Sequence, residues 1–172
     1  MGEARTHQSF CIVTDWEGGH TSQCLRHAIR ARELLAAAGD TIGQARALNN
    51  IGWTHAMLGA DQQALECCGE ALSLLRTLGD RTGEAATSHS LGYIHQHIGN
   101  HARAITYYER AIELHRQLGN RFPQARTFSD LGDTHENAGD APAARDAWQQ
   151  ALAILDDLSH PDADNVRAKL TI

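Results

Sequence analysis

Eleven histidines and four cysteines are the side chains best able to bind a metal or attack an electrophile, so their spacing comes first. His55, His95 and His135 recur at intervals of 40 residues. Such a recurrence spreads them along a repeating chain and assigns each the role of a half-buried ring between helices. His97 and His101 have the i, i+4 spacing that puts two ligands on one helix face. Gly99 and Asn100 lie between them, however, and interrupt the helix. His89 and His97 stand two turns apart, too far to share one ion unaided. Cys11, Cys24, Cys67 and Cys68 contain no C-x-x-C pair. Cys67 and Cys68 point about 100° apart on a helix and cannot chelate together. Reduced, buried thiols are the expectation. The carboxylates are scattered, and no Gly-x-x-x-x-Gly-Lys-Ser/Thr phosphate loop occurs. The chemistry-bearing residues therefore point away from an enzyme, a metal and a cofactor. One alternative stays open, a small molecule or metal held through His89, His97 and their neighbours.

The elements that carry these residues repeat. Leu91-Gly92 has counterparts in Ile51-Gly52 and Leu131-Gly132, and Gly99, Ala104 and Ala111 echo at the same 40-residue interval. Self-similarity of this size is the mark of a solenoid of stacked supersecondary units. Within 81–120, Ala85, Gly92 and Gly99 place small residues along a first helix. Ala104, Ile105, Tyr108, Ala111, Ile112, Leu114 and Leu118 recur at steps of three and four along a second. Gly followed by Asn or Asp separates them, as at 39–40, 79–80, 99–100, 119–120 and 139–140. Glycine accepts the left-handed backbone after one helix, and Asn or Asp caps the next. Gly92 and Ala104 let the two backbones approach. The fold class that follows is all-α, a solenoid of antiparallel helix hairpins.

The pattern Leu91-Gly92, Gly99, Ala104, Tyr108, Ala111, with its equivalents on both sides, resembles the tetratricopeptide repeat, and that resemblance implies a right-handed superhelical solenoid. The usual unit of that family is about 34 residues, so a 40-residue period marks a long-repeat variant with extra helical turn in each hairpin. The family's proline near the end of the second helix is missing, since Arg76, Arg116 and Asp156 occupy that region. The predicted organisation is one domain. It comprises a degenerate repeat at 1–40, clear repeats at 41–80, 81–120 and 121–160, and a capping segment at 161–172. In the first repeat Gly19, Cys24, Ala28, Ala31 and Leu34 stand for Gly59, Ala64, Cys68, Ala71 and Leu74, which predicts a helix over about 20–38. Residues 9–14, Ser-Phe-Cys-Ile-Val-Thr, are as strand-like as helical. Either the terminal repeat is atypical or the sequence begins inside a longer parent. Ala163, Val166 and Leu170 share one face of a short final helix, beside polar Asp162, Asp164, Asn165, Arg167 and Lys169.

Charge narrows the partners. A formal net charge of −6 argues against direct nucleic-acid binding, which favours a basic surface. No apolar run approaches the roughly 20 residues that span a bilayer, and no secretory segment follows Met1. Met1-Gly2 with Thr6 fits a myristoylation pattern that is too short to weigh. A cytoplasmic protein without membrane attachment is expected.

In stacked hairpins the first helix of each repeat lines a concave groove. The expected partner-binding residues are Arg46, Asn49, Asn50, Trp53 and Met57, then His89, Ser90, Tyr93 and His97, then Arg126, Ser129, Asp130, Asp133 and Asn137. Trp53 and Tyr93 are the kind of aromatic anchors that dominate interfaces, and Asn49 and Asn50 can grip a peptide backbone. Asp130 and Asp133 make one end acidic, suited to a ligand with a basic end. The alternative for Trp53 and Tyr93 is packing against adjacent repeats. The Lys/Asn clamp with which some family members hold a C-terminal carboxylate is not present. Residues 146–157, with His160–Asp164 and Val166–Lys169, resemble the extreme C-terminus of actinobacterial SARP-type antibiotic-regulatory transcription regulators. Gly79–Glu84 and Leu131–His135 fit that subfamily too. The resemblance covers only their tetratricopeptide sensor and implies a signalling role in transcriptional regulation. It does not extend to DNA binding or nucleotide hydrolysis. The predicted function is a protein-interaction or sensor module that binds a peptide or partner-protein segment, including other domains of a parent regulator. Self-association into a homodimer scaffold is the alternative.

Overall fold

The computed structural model describes residues 21–171. Eight α-helices follow one another: α1 (Thr21–Ala37), α2 (Thr41–Met57), α3 (Asp61–Thr77), α4 (Arg81–His97), α5 (His101–Leu118), α6 (Arg121–Asn137), α7 (Ala141–Asp157) and α8 (Asp162–Lys169). The described residues contain no strand. The strand-like stretch 9–14, Cys11, Gly19 and the N-terminal Met1-Gly2 lie outside them. Six of the eight helices are 17 residues long. At about 1.5 Å per residue that is roughly 25 Å each. Connections of two to four residues, most of them three, complete a helix about every 20 residues, so two helices make the 40-residue repeat read in the sequence.

The connections share one construction. At Gly79 (φ 70°) the amide donates to the Arg76 carbonyl at 3.1 Å, and the Asp80 amide donates to the Leu75 carbonyl at 2.9 Å. This pair of bonds satisfies carbonyls that the helix end would leave bare. Ser159 carries out the same turn at φ 50°, with Ser159 and His160 amides donating to Asp156 and Leu155. There a non-glycine residue adopts the left-handed backbone. Starts are less uniform. Asp40, Asn100 and Asp140 accept from the amides of Gly43, Arg103 and Ala143. Asn120 and Ala60 make no such side-chain bond.

The chain divides into two compact units, the first ending at Ser90 and the second beginning at Leu91, inside α4. In the first, α2 packs on α1 and on α3. Its buried side chains are mostly small: Ala45, Ala47 and Leu48 of α2, Ala64, Cys68, Ala71 and Leu75 of α3, and Cys24, Ala28, Ala31 and Leu35 of α1. The helix expected over about 20–38 is thus present as α1 and packs on α2. In the second unit α6 packs on α5 and α7, and α8 on α7. Its core is bulkier, joining Tyr108, Ile112, Phe128, Leu131, Trp148 and Leu155 to Ala163 and Val166 of α8. Removing such apolar surface from water stabilises by roughly 25 cal/mol per Å².

Candidate functional site

The residues expected to bind a partner all lie on the first helices, α2, α4 and α6, and each unit presents its own set. In the first unit Arg46 is exposed, and its guanidinium grips Asp80 through Nε (2.6 Å) and Nη2 (2.7 Å). That bond, with the backbone amides of Gly83 and Thr82, holds the Asp80 carboxyl below its ordinary range. Arg46 thereby ties α2 to the start of α4. Asn50, Trp53 and Met57 are half-buried. The Trp53 ring lies 6.2 Å from that of His89, tilted by 37°. Asn49, His89 and Ser90 are buried. Asn49, expected to hold a peptide backbone beside Asn50, instead faces the core, where its Oδ1 accepts from the Cys68 thiol at 3.6 Å. The Ser90 hydroxyl donates to the Ala86 carbonyl of its own helix.

In the second unit Tyr93 is half-buried and stacked on the exposed His97, ring centroids 6.3 Å apart. Arg126 and Asn137 are exposed, and Ser129, Asp130 and Asp133 are half-buried. The acidic end expected here is not all open to a ligand. Lys169 of α8 sets its Nζ 2.7 Å from both oxygens of Asp133 and 3.1 Å from Ser129 Oγ. Trp148 Nε1–H also donates to Asp133, at 3.0 Å. Lys169, read in the sequence as polar flank, is half-buried within this cluster. Its signal was present, since it stands 40 residues after Ser129 and therefore in a first-helix position.

The residue beneath each repeat glycine decides how the hairpin closes. A Cβ placed on Gly52 would lie 2.5 Å from Cys68 Sγ, and one on Gly92 would lie 2.6 Å from the Tyr108 ring. One on Gly132 would overlap the Trp148 indole. Burial pushes the Cys68 thiol up to about 12, with Cys67 adding to the shift. Burial likewise raises the Tyr108 phenol, and Asp130, Tyr93 and Asp133 raise it further. Its hydroxyl donates to Gln96 at 2.9 Å. Cys68 is therefore a core thiol far from nucleophilic ionisation at neutral pH.

The period-locked histidines separate. His55 and His135 are half-buried, as expected, but His95 is buried and stacks on Tyr107 at 5.4 Å and 5°. Burial, then the nearby Arg103, lowers the His95 pKa. His97 ends α4 and His101 begins α5, with Gly99 at φ 76° between them, so they share no helix face. Among the described residues no group of three or more His, Cys, Asp or Glu could hold a metal ion. No helix among them is long and apolar enough to cross a membrane.

Comparison with known proteins places this architecture. Two models of the tetratricopeptide repeat match residues 44–81 and 83–157, together well over half of the sequence. The chain belongs to the tetratricopeptide-repeat family, whose repeats mediate protein–protein interaction. A Rap protein crystallised with Competence and Sporulation Factor superposes with a TM-score of 0.82 over 98% of this chain, at 18% identity. The chain spans 47% of that protein. BtubC from P. vanneervenii matches over 92% of this chain and 66% of its own, with a TM-score of 0.74 and 21% identity. A putative kinesin light chain from Podosopora anserina, with nearly identical TPR-like repeats, matches at 0.74 and 12% identity over 98% of this chain and 82% of its own. Identities this low establish the shared all-α repeat fold and no more. No curated protein matches the sequence.

Proposed function

We propose that the first-helix face binds a segment of a partner protein, and that the module is non-enzymatic. The observation that carries this reading is what first helices use to meet one another. Trp53 meets His89 and Arg46 meets Asp80 in one unit, and Lys169 meets Asp133 and Ser129 in the other. Rings and charged groups meet there, whereas the second helix of the first unit, α3, buries alanine, leucine and cysteine. Half-buried aromatic side chains flanked by polar groups suit recognition of a peptide better than core formation. The binding set is Arg46, Asn50, Trp53 and Met57 in the first unit, and Tyr93, His97, Arg126, Asp130 and Asn137 in the second. Asn49, His89 and Ser90 are buried behind it, and half-buried Ser129 and Asp133 belong to it in the second unit. The Rap protein crystallised in complex with Competence and Sporulation Factor supports ligand binding on this fold. The resemblance of residues 146–169 to SARP-type regulators supports a sensor role in cytoplasmic transcriptional control.

The test is affinity capture from a lysate of the source organism with the chain and with Trp53→Ala/Tyr93→Ala/Arg126→Ala. A partner held by the first and lost by the second, at unchanged helicity, is the expected result. Equal capture by both would move the binding site to another face or to self-association.

A further inference from the structure

Asp133, Ser129 and Trp148 form a built receptor for a primary ammonium group. An ammonium offers three N–H donors, and Lys169 Nζ meets three acceptors, two carboxylate oxygens and a hydroxyl, at 2.7, 2.7 and 3.1 Å. The same Nζ lies 5.9 Å from the centre of the Trp148 ring, inside the range of cation–π attraction. Trp148 is 6% exposed within the core, and its indole N–H gives the Asp133 carboxylate a hydrogen bond besides those from Lys169. All three receptor residues belong to α6 and α7. The ammonium comes from α8, an eight-residue helix that buries only Ala163 and Val166. Leu170, just after it, packs partly buried on the same core, and exposed Arg167 pairs with Asp156 of α7 and with Asp164 of α8 itself. Exposed pairs of this kind contribute little.

We propose that this cluster is a lysine-recognition site of the partner-binding face, which Lys169 fills from within until a lysine of the partner displaces it. Ser129 and Asp133 stand 40 residues beyond His89 and Tyr93, in the same first-helix positions, so the site shares the register of the residues proposed above and rests on that reading. It commits the partner segment to a primary amine. A guanidinium is a planar fork suited to a bidentate carboxylate, whereas this site gathers three acceptors around one nitrogen.

Lys169→Met keeps the apolar stem over Trp148 and removes the ammonium. The probe is Nα-acetyl-lysine amide, with Nα-acetyl-norleucine amide as the uncharged control, read by the NMR resonance of the Trp148 indole N–H in the whole chain. In the variant the lysine probe should move that resonance saturably, at least about tenfold more tightly than in the unmodified chain, because an intramolecular competitor is gone. Norleucine should leave it still, and adding Asp133→Asn should abolish the response. Equal response in both chains, or a response to norleucine, would overturn the proposal. Lys169→Gln provides a second opening of the site. The receptor lies on α6 and α7, so silence in both variants overturns the proposal whether or not α8 stays docked. Silence here, with capture still lost in the triple variant, would remove lysine recognition and leave peptide binding standing.

Discussion

The hairpin α2–α3 and the hairpin α6–α7 occupy the same register and close in opposite ways. In the first, Gly52 sits over Cys68, a small buried thiol, and the next first-helix residue is the large ring of Trp53. In the second, Gly132 sits over Trp148, and the next residue is Asp133, whose carboxylate takes the indole N–H. The bulk has moved from the first helix to the second, and the first-helix position it vacated holds a charge. The backbone tolerates either arrangement because glycine is kept where the two helices approach. What differs is what each hairpin presents, an aromatic ring in one case and an ammonium receptor in the other.

The contrast breaks most severely at the large ring. Trp148→Ala should cost about 3–5 kcal/mol, the range for emptying a buried aromatic site. Cys68→Ala, the equivalent truncation, should cost about 1 kcal/mol, the scale of one buried methylene. Urea unfolding monitored by helicity measures both, and equal losses would show that the two hairpins close alike.

Glycines sharpen the comparison because two of them should answer one substitution with opposite signs. Gly132→Ala drives a Cβ into the Trp148 indole, an overpacking that costs about 1–3 kcal/mol. Gly69 lies in the interior of α3, exposed, with nothing within 4 Å of an added Cβ. Gly69→Ala should therefore stabilise by about 0.5–1 kcal/mol. Thermal unfolding of the two variants is the check. A destabilising Gly69→Ala would mean that its face is occupied.

The smallest effect concerns the hairpin between these two in the sequence. His95 is buried beside Tyr107, and its folded pKa lies below the ordinary 6.5. The unfolded state then binds more protons in the window between the two values, so stability is complete above about pH 6.5 and falls as the pH drops through it. The melting temperature should decline from pH 7.5 to 5.5, and His95→Phe should lessen that decline. An unchanged slope would assign it to other histidines.

Much of this was legible in the sequence because it depends on local periodicity. The 40-residue spacing of Gly52, Gly92 and Gly132, and the Gly-Asp and Gly-Asn punctuation, depend on backbone geometry that a few neighbouring residues decide. Helix number, helix length, turn position and the structural nature of Cys68 follow from it. Ser159 shows its limit, since the turn recurs there without the glycine that announces it elsewhere. Which side chains remain available was a different matter. Arg46 meets Asp80 across 34 residues, and Lys169 meets Asp133 across 36. Nothing in the composition of α2 says that Asn49 is buried while Asn50 is half-open, and nothing in α6 says that Asp133 already holds an ammonium. Periodicity assigns a residue to a face, but the charge that the face offers depends on which distant side chain the packing brings to it.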